Sequence, residues 1–201
     1  MSGVALIDYG AGNLQSVLNA LTAAGASDIA VTGDPAEVLA AKRIVLPGVG
    51  AFAHCMGALS AIPGMMEALN TTVIERGRPF LGICVGMQLM ADEGREHGIT
   101  PGLGWITGAV AAIDPSPGIK VPHMGWNDVV PTEPHPVMAA GEAYFLHGYT
   151  FDGDHVIATT DHGGTRTAAI GRDTMIGVQF HPEKSQRYGI ETLQRFLKWR
   201  P

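Results

Sequence analysis

The sequence predicts an α/β fold: a doubly wound, mainly parallel sheet with helices on both faces and appended antiparallel strands. Apolar strand-like runs alternate with amphipathic stretches through the first half of the 201-residue chain, which indicates a parallel sheet covered on both faces. From Gly102 onward, short runs rich in Val, Ile, Tyr and Phe alternate with Pro and Gly turns, a pattern typical of hairpins. No repeat or linker interrupts the chain, so one domain over residues 1–201 is expected.

The elements of the first half follow from hydrophobic periodicity. Strands are predicted at Val4–Asp8, Ile29–Thr32, Arg43–Leu46 and Phe80–Ile83, with a helical segment after each. The first helix presents one apolar face, formed by Leu14, Val17, Leu18 and Leu21. Asp34, Pro35 and Glu37 have the residue types of an N-cap, an N1 proline and an N3 acid, so they predict the start of a second helix. Ligands of such folds bind beyond the carboxyl ends of the strands.

Two further elements are predicted near the end of the chain. Ile170–Thr174 contains a Gly-Arg-Asp turn that joins two strands. Gln186–Trp199 is predicted to be a closing helix, whose inner face is formed by Ile190, Leu193, Phe196 and Leu197.

Composition restricts the class of protein. Hydrophobic residues make up 46% and charged residues 16% of the chain, which is typical of a globular enzyme and not of a disordered segment. The net charge is 13 − 19 = −6, and no basic cluster is present, which argues against nucleic acid and anionic membranes as partners. No apolar stretch of about 18 residues and no signal peptide is evident, so a cytoplasmic location is expected.

Cys84 has the setting of a reactive thiol. Residues 78–89 read RPFLGICVGMQL, an apolar strand that runs into a cysteine between Gly82 and Gly86 and continues with a helical pattern. Bulky side chains at both glycine positions would clash in so sharp a turn, as in the nucleophile elbow G-x-S-x-G. A helix N-terminus stabilises a thiolate. The alternative is a buried and inert cysteine at the end of a strand.

A second strand end supplies the complementary chemistry. Residues 175–185 read MIGVQFHPEKS, and the proline favours extended backbone at the histidine before it. Because residues i and i+2 of extended backbone point to the same side, His181 and Glu183 can face one site. A carboxylate fixes the tautomer of an imidazole and stabilises its cation. We therefore expect Cys84, His181 and Glu183 to act as nucleophile, base and orienting group, although His181 alone could be a strand-end histidine bonded to backbone.

The combination of GICVGMQ with FHPE resembles the class I (triad) glutamine amidotransferases. Narrower segments resemble the glutaminase subunits of imidazole glycerol phosphate synthase: LPGVGAF at 46–52, KVPHMGWN at 120–127 and GVQFHPEKSQ at 177–186. The similarity runs from IDYGAGNLQS at the start to the closing helix and so covers essentially the whole chain. It implies a class I glutamine amidotransferase-like fold and hydrolysis of glutamine to glutamate and ammonia in histidine biosynthesis.

The loop LPGVGAFA places two glycines directly after a strand. Its backbone N–H groups could stabilise an oxyanion, with the amide of Val85 as the other donor. The resemblance implies that the loop Pro47–Gly50, in particular Val49 and Gly50, contributes to this oxyanion hole. The hole is either preformed or forms only after a peptide of the loop reorients. The alternative is a plain turn between a strand and a helix.

Glutamine-binding residues are implied by the resemblance at two places. Gln88 lies one helical turn beyond Cys84, at a position that the family uses for glutamine; the alternative is a solvated glutamine. YFLHGY at 144–149 resembles the strand whose backbone holds the amino and carboxylate groups of glutamine, which indicates His147, Gly148 and Tyr149. Relatives often have serine where this chain has Gly148, and His147 could be structural instead.

The resemblance implies a heterodimer with a separate cyclase subunit of imidazole glycerol phosphate synthase, because the chain has no room for a synthase domain. Met124 and Trp126 suit an apolar patch at that interface, although Trp126 could instead be core. Lys184 is either a partner contact or a solvated charge. Two alternatives to this function remain: a glutaminase for another synthase, making anthranilate or pyridoxal phosphate, and a non-catalytic subunit that binds glutamine.

No cofactor or metal is predicted. The G-x-G-x-x-A match at residues 48–53 lies on the third strand instead of the first, where a dinucleotide fingerprint belongs. The two cysteines are not in C-x-x-C spacing, which argues against a zinc site. The remaining histidines show no spacing typical of metal ligands and are expected on the surface or in loops: His54, His97, His135, His155 and His162.

Overall fold

The computed structural model describes residues 3–115 and 118–201 of the chain. Its strands are β1 (Val4–Ile7), β2 (Ile29–Thr32), β3 (Arg43–Gly48), β4 (Phe80–Cys84), β5 (Ala91–Gly94), β6 (Thr100–Pro101), β7 (Ile106–Ala112), β8 (His123–Pro131), β9 (Gly141–His147), β10 (Tyr149–Gly153), β11 (Val156–Asp161), β12 (Thr165–Arg172) and β13 (Met175–Val178). Its α-helices are α1 (Leu14–Ala23), α2 (Pro35–Ala40), α3 (Phe52–Ser60), α4 (Met65–Leu69), α5 (Val85–Gln88) and α6 (Gln186–Lys198). A π-helical segment, Asn70–Glu75, continues α4, and Pro182–Lys184 forms a 3-10 turn.

The main sheet has nine strands in the order β2-β1-β3-β4-β13-β12-β11-β8-β9. The five strands from β2 to β13 pair in parallel, and the four from β12 to β9 continue the sheet in antiparallel pairing. A second sheet has the order β10-β7-β5-β6. The predicted α/β class with a parallel core and appended antiparallel strands is confirmed. Four of the added strands widen the core sheet, and the other four form the second sheet.

Local sequence signals account for several element boundaries. The side chain of Asp34 accepts a hydrogen bond from the amide of Ala36 at 2.8 Å, with Pro35 as the first helical residue, as the capping pattern predicts. Helix α5 differs from expectation, because it ends after four residues and the chain then enters β5. A single helical turn has little macrodipole, so the helix-dipole argument for a stabilised thiolate at Cys84 is weaker than the sequence suggests.

The closing elements were predicted nearly correctly. Strand β12 extends to Arg172, so the turn of the hairpin is confined to Asp173 and Thr174, and Asp173 adopts a positive φ of 52°. On α6, Leu193 and Phe196 are fully buried, whereas Ile190 and Leu197 are only partly buried against the core.

The register of the parallel strands brings three loops together. Gly48 at the end of β3 is paired with Cys84 at the end of β4, and Val178 at the end of β13 is paired with Ile83. The loop after β3, the elbow at Cys84 and the segment containing His181 therefore leave the same edge of the sheet. Within the described residues, no helix is both long and apolar enough to cross a membrane.

Candidate active site

A pocket of about 290 Å³ opens at this edge of the sheet. It is lined by Val49, Gly50, Cys84, Val85, Gln88, Glu96, Pro122, Leu146, His147, Gly148, Tyr149, His181 and Lys184. These residues come from β4, α5, β9, β10 and several connecting segments, so the pocket is assembled by tertiary structure. The pocket includes most of the site residues that the sequence predicts.

Cys84 occupies a sharp turn with strained backbone. Its φ is 55° and its ψ is −113°, a conformation that costs a non-glycine residue of the order of 1–3 kcal/mol. A side chain at Gly82 would overlap the carbonyl of Gly86, and one at Gly86 would overlap the carbonyl of Leu46. The glycines therefore permit the turn in the way the sequence predicts, and the turn holds the Cys84 side chain at the pocket wall.

His181 and Glu183 are joined by a buried hydrogen bond. His181 Nδ1 lies 2.8 Å from Glu183 Oε1, and the two side chains are 4% and 2% exposed. Ser185 anchors the segment to β9: its hydroxyl donates to the carbonyl of His181 at 2.7 Å and accepts from the amide of Tyr144 at 2.9 Å. Since Glu183 engages Nδ1, Nε2 is the ring nitrogen left for Cys84 or substrate.

The electrostatics of this pair favour a charged imidazole. Burial alone would lower the pKa of His181, but the hydrogen bonds and charges of Cys84 and Glu183 outweigh it and raise the pKa to about 10. The imidazolium is therefore the stable form at neutral pH. An imidazolium held between a sulfur and a carboxylate is arranged to donate a proton to a leaving group.

The loop after β3 is anchored at two of its carbonyls. The Tyr9 hydroxyl donates to the carbonyl of Pro47 at 2.8 Å, and the Cys55 thiol donates to that of Val49 at 3.3 Å. Burial raises the pKa of both Tyr9 and Cys55, so both keep the proton that they donate. The two anchored peptides flank the Gly48–Val49 peptide, and a side chain at Gly48 would overlap the amide of Gly86.

Gln88 is buried, which excludes the solvated alternative. Its Nε2 donates to the carbonyl of Tyr149 at 3.3 Å and to Gln179 Oε1 at 3.0 Å. Gln179 Nε2 in turn lies 3.8 Å from Cys84 Sγ. A continuous hydrogen-bonded path therefore joins the nucleophile elbow to the opposite wall of the pocket.

The segment 147–149 also lines the pocket, as expected. Both ring nitrogens of His147 are engaged inside the protein, with Nδ1 2.8 Å from the carbonyl of Tyr149 and Nε2 3.0 Å from His123 Nδ1. Its ring therefore has no free nitrogen to offer a ligand. At Gly148 an added Cβ would meet only Val121 Cγ1, at 3.8 Å, so the backbone has room for a side chain at this position.

The predicted interface residues lie beside the mouth of this pocket. Met124 and Trp126 on β8 are 66% and 48% exposed, so Trp126 is not a core residue. Their partners across the pair β8–β9 are Leu146 and Tyr144, on the same face of the sheet. Lys184 is exposed, and its Nζ lies 5.9 Å from the centre of the Tyr144 ring, within cation–π range.

Several residues of the site were not identified from the sequence: Tyr9, Cys55, Glu96, Gln179 and His123. Gln179 could have been found from the sequence, because it is a polar residue within an otherwise apolar run. The structure shows that its side chain is fully buried, which is uncommon for glutamine. Glu96 had no such signal: it lies in a connecting segment, and its carboxylate accepts from the amide of Phe52 at 2.8 Å. Only the fold brings it into the pocket wall.

The other histidines lie on the surface or in loops, as expected. His54, His97 and His155 are exposed, while His135 and His162 are half-buried. His162 is not a solvent-facing residue, because its ring stacks on that of His123 with centroids 4.0 Å apart. In the part of the chain that the structure describes, no group of three or more His, Cys, Asp or Glu residues is arranged to hold a metal ion.

Comparisons of the sequence with known proteins agree on one family. Residues 5–199 match the family model of the class-I glutamine amidotransferases. Imidazole glycerol phosphate synthase subunit HisH of Zymomonas mobilis is 62% identical over 207 residues, covering 100% of this chain and 97% of that protein. The subunit HisH of Rhodopseudomonas palustris is 50% identical over 214 residues, covering 98% and 99% of the two chains.

Solved structures show the same fold at low sequence identity. A crystal structure described as a glutamine amidotransferase superposes with a TM-score of 0.75 at 17% identity, covering 98% of each chain. The structure of PurLQS from Thermotoga maritima gives a TM-score of 0.72 at 20% identity, covering 98% of this chain and 99% of that one.

Proposed function

This chain belongs to the class-I glutamine amidotransferase family, and we propose that it is the glutaminase subunit of an imidazole glycerol phosphate synthase in histidine biosynthesis. The proposal includes one amidotransferase domain over residues 1–201. The observation that carries the chemistry is the meeting of Cys84, in its strained turn, with the buried pair His181 and Glu183 at one pocket wall. Full-length similarity to HisH subunits supports the assignment to this synthase over those making anthranilate or pyridoxal phosphate.

The first half-reaction releases ammonia. The Cys84 thiolate attacks the side-chain amide carbon of glutamine, and the carbonyl electrons move onto oxygen. The amide of Val85 and the loop Pro47–Gly50 stabilise this oxyanion. When the intermediate collapses, the C–N bond breaks and the His181 imidazolium donates its proton to the departing nitrogen, which leaves as ammonia. The product on the protein is a γ-glutamyl thioester at Cys84.

The second half-reaction regenerates the thiolate. Neutral His181 removes a proton from water, whose oxygen attacks the thioester carbon, and collapse of the new intermediate breaks the C–S bond. The product leaves, its new γ-carboxyl group releases its proton to water to give glutamate, and the imidazolium and thiolate are restored. Glu183 stabilises the cation and fixes the ring throughout. Side chains, backbone amides and water account for every proton, so the proposal needs no cofactor or metal.

The pocket walls suit the amino-acid end of glutamine. Gln88 and the segment 147–149 form one wall, where backbone groups can bind the α-carboxylate and α-amino group. The carboxylate of Glu96 lines the same pocket and supplies the negative charge that an α-ammonium group requires. We therefore add Glu96 to the proposed substrate-binding residues.

A separate cyclase subunit is the proposed acceptor of ammonia. Ammonia in neutral water is mostly protonated and is a poor nucleophile, so it has to pass directly to the acceptor site. An exposed apolar rim borders the pocket mouth and is formed by Val49, Val121, Met124, Trp126 and Leu146. Such a rim fits a protein interface, and docking there would cover the pocket mouth. We propose a heterodimer through this rim with Lys184 at its edge, and a cytoplasmic location for the complex.

The interface is tested by measuring the Kd of the complex with variants of exposed apolar residues. Trp126→Ala is expected to weaken binding by about 30-fold, because a buried interface tryptophan contributes about 2 kcal/mol. Ile74→Ala is the control, since Ile74 is 45% exposed and lines a different pocket at the opposite end of the parallel strands. Equal Kd values for both variants and wild type would place the interface elsewhere.

The function is tested by following ammonia and glutamate release from glutamine, with and without the cyclase subunit. We expect release in the complex and slower release by the isolated chain. A non-catalytic subunit would release none in either sample while still binding glutamine. A glutaminase for another synthase would form no complex with this cyclase.

A further inference from the structure

Three side chains form a hydrogen-bonded chain behind the pocket wall, and its direction can be assigned from one end. Asn127 Oδ1 accepts from the amide of Asp128 at 2.9 Å, and Asn127 Nδ2 lies 2.7 Å from the carbonyl oxygen of Asp161. An amide N–H has to donate and a carbonyl has to accept, so the orientation of the Asn127 amide is fixed. Its second Nδ2 hydrogen then points to His123 Nε2 at 3.1 Å.

This donor determines the tautomer of His123. Because Nε2 accepts from Asn127, a neutral His123 carries its proton on Nδ1. That nitrogen lies 3.0 Å from His147 Nε2. The ring of His123 is held between two others, with centroids 4.8 Å from Phe145 and 4.0 Å from His162. Packing and hydrogen bonding together leave the ring one orientation.

The hydrogen bond at the His147 end of this series requires the same direction of donation. The carbonyl of Tyr149 can only accept, so His147 Nδ1, at 2.8 Å from it, carries the proton. His147 Nε2 is then an acceptor, which is what the Nδ1 proton of His123 requires. The direction derived from Tyr149 therefore agrees with the direction derived from Asn127.

The hydrogen bonds from Asn127 through His123 and His147 to Tyr149 can all form only if both imidazole rings are neutral. Burial, together with neighbouring His147 and His162, lowers the pKa of His123 to about 4. The pKa of His147 is also lowered to about 4, mainly by burial. The hydrogen bond to the Tyr149 carbonyl raises this pKa, whereas nearby His162, His181 and Arg166 lower it further. Both rings are uncharged at neutral pH, and a proton on His147 Nε2 would face the N–H of His123.

We propose that His123 is a positioning residue for glutamine binding: by donating to His147 it fixes the Tyr149 carbonyl, against which Gln88 is also held. This proposal rests on the proposed function, because the pocket wall that His123 positions is the one assigned to the amino-acid end of glutamine. His123 contacts no substrate atom in this assignment. It lies on the inner face of β8, whose outer face presents Met124 and Trp126.

The first test measures the tautomers of the wild-type chain directly. Long-range ¹H–¹⁵N NMR of the histidine side chains at pH 7 is expected to show both His123 and His147 in the Nδ1–H form, whereas a free imidazole favours Nε2–H. Either ring in the Nε2–H or the doubly protonated form would overturn the proposal. The spectrum does not depend on activity, so it decides this proposal even if the chain hydrolyses no glutamine, a result that would refute only the proposed function.

The second test compares two substitutions in complex with the cyclase subunit. His123→Phe keeps an aromatic ring between Phe145 and His162 but leaves His147 Nε2 buried without a donor. We expect the KM for glutamine to rise roughly tenfold while kcat changes less than about threefold. His123→Asn places an amide nitrogen near the position of Nδ1 and is expected to restore most of the KM.

A purely structural role would be indicated by different results. An unchanged KM in a folded His123→Phe variant would overturn the proposal, as would an equal loss in His123→Asn and His123→Phe. If His123→Phe fails to fold, the tautomers of the wild-type chain and the KM of His123→Asn still decide the question.

Discussion

His181 Nδ1 lies 2.8 Å from Glu183 Oε1 although only two residues separate them in sequence, and both side chains are more than nine-tenths buried. Only His181 has the extended backbone that the sequence predicts, with φ −100° and ψ 98°; Pro182–Lys184 form a 3-10 turn, and this turn brings Glu183 back to the imidazole. Burial of an ion pair is costly unless its remaining groups are satisfied. In the proposed function, this costly buried pair lies where a proton has to be moved next to the nucleophile.

Replacing Cys84 with alanine or serine is expected to abolish glutamine-dependent synthesis by the complex. Ammonia-dependent synthesis by the cyclase subunit should stay largely intact, because the thiol supplies chemistry and contributes little packing. The measurement is the rate of product formation with glutamine and then with ammonium salt as nitrogen source. Glutamine hydrolysis at the wild-type rate by the Cys84→Ala complex would refute the assignment of the nucleophile.

Loss of His181 is expected to be more damaging than loss of Glu183. His181→Ala removes the proton donor to ammonia and the base that activates water, whereas Glu183→Gln removes only the stabilisation of the cation and the control of the tautomer. In another triad, loss of the orienting carboxylate was less damaging than loss of the base. Steady-state glutaminase rates of the two variants in complex test this order, and equal or reversed losses would contradict the assigned roles.

The raised pKa of His181 has a consequence for stability. The folded state binds the proton more tightly than the unfolded chain, whose histidine has a pKa of about 6.5. The resulting contribution to the free energy of unfolding is fully present below pH 6.5 or so and is lost as the pH rises through about 10. Urea unfolding of wild type and His181→Ala between these limits should show the stability difference shrinking with pH; a constant or growing difference would be inconsistent with it.

The loop after β3 is the expected switch for partner-dependent activity. Gly50 has φ +102° with no atom within 4 Å of an added Cβ, so Gly50→Val introduces backbone strain without a clash. We expect the variant to bind the cyclase normally but to lose stimulation by it, since one oxyanion donor can be worth ~100-fold or more in rate.

The control for this loop variant is Gly57→Ala. Gly57 is an exposed residue of helix α3, and an added Cβ there also meets open space, so its substitution should leave stimulation unchanged. Full activity of the isolated wild-type chain, unaffected by the cyclase subunit and its ligand, would contradict the switch.

The predicted catalytic residues lie in short segments whose chemistry is local. Cys84 was visible because two glycines flank it at a change of periodicity. His181 and Glu183 were visible because they flank a proline at the end of an apolar strand, although the extended backbone predicted for the pair holds only for His181. The strands and the N-cap at Asp34 were also visible because their signals depend only on residues a few positions apart. The resemblance to a known family added the segment 147–149, which no local pattern indicates, and gave a binding role to Gln88, which helical spacing already placed on the face of Cys84.

The sequence by itself determined the fold class, the strands of the parallel core and the residues that we propose carry the chemistry, because periodicity, capping and turn preferences act within a few residues. Only the tertiary structure decided which side chains support them. Tyr9 and Cys55 anchor the loop after β3 from distant segments, and His123 reaches His147 only because β8 and β9 pair in one register. Hydrogen bonds between residues far apart in the chain depend on strand pairing, and pairing is a property of the whole fold.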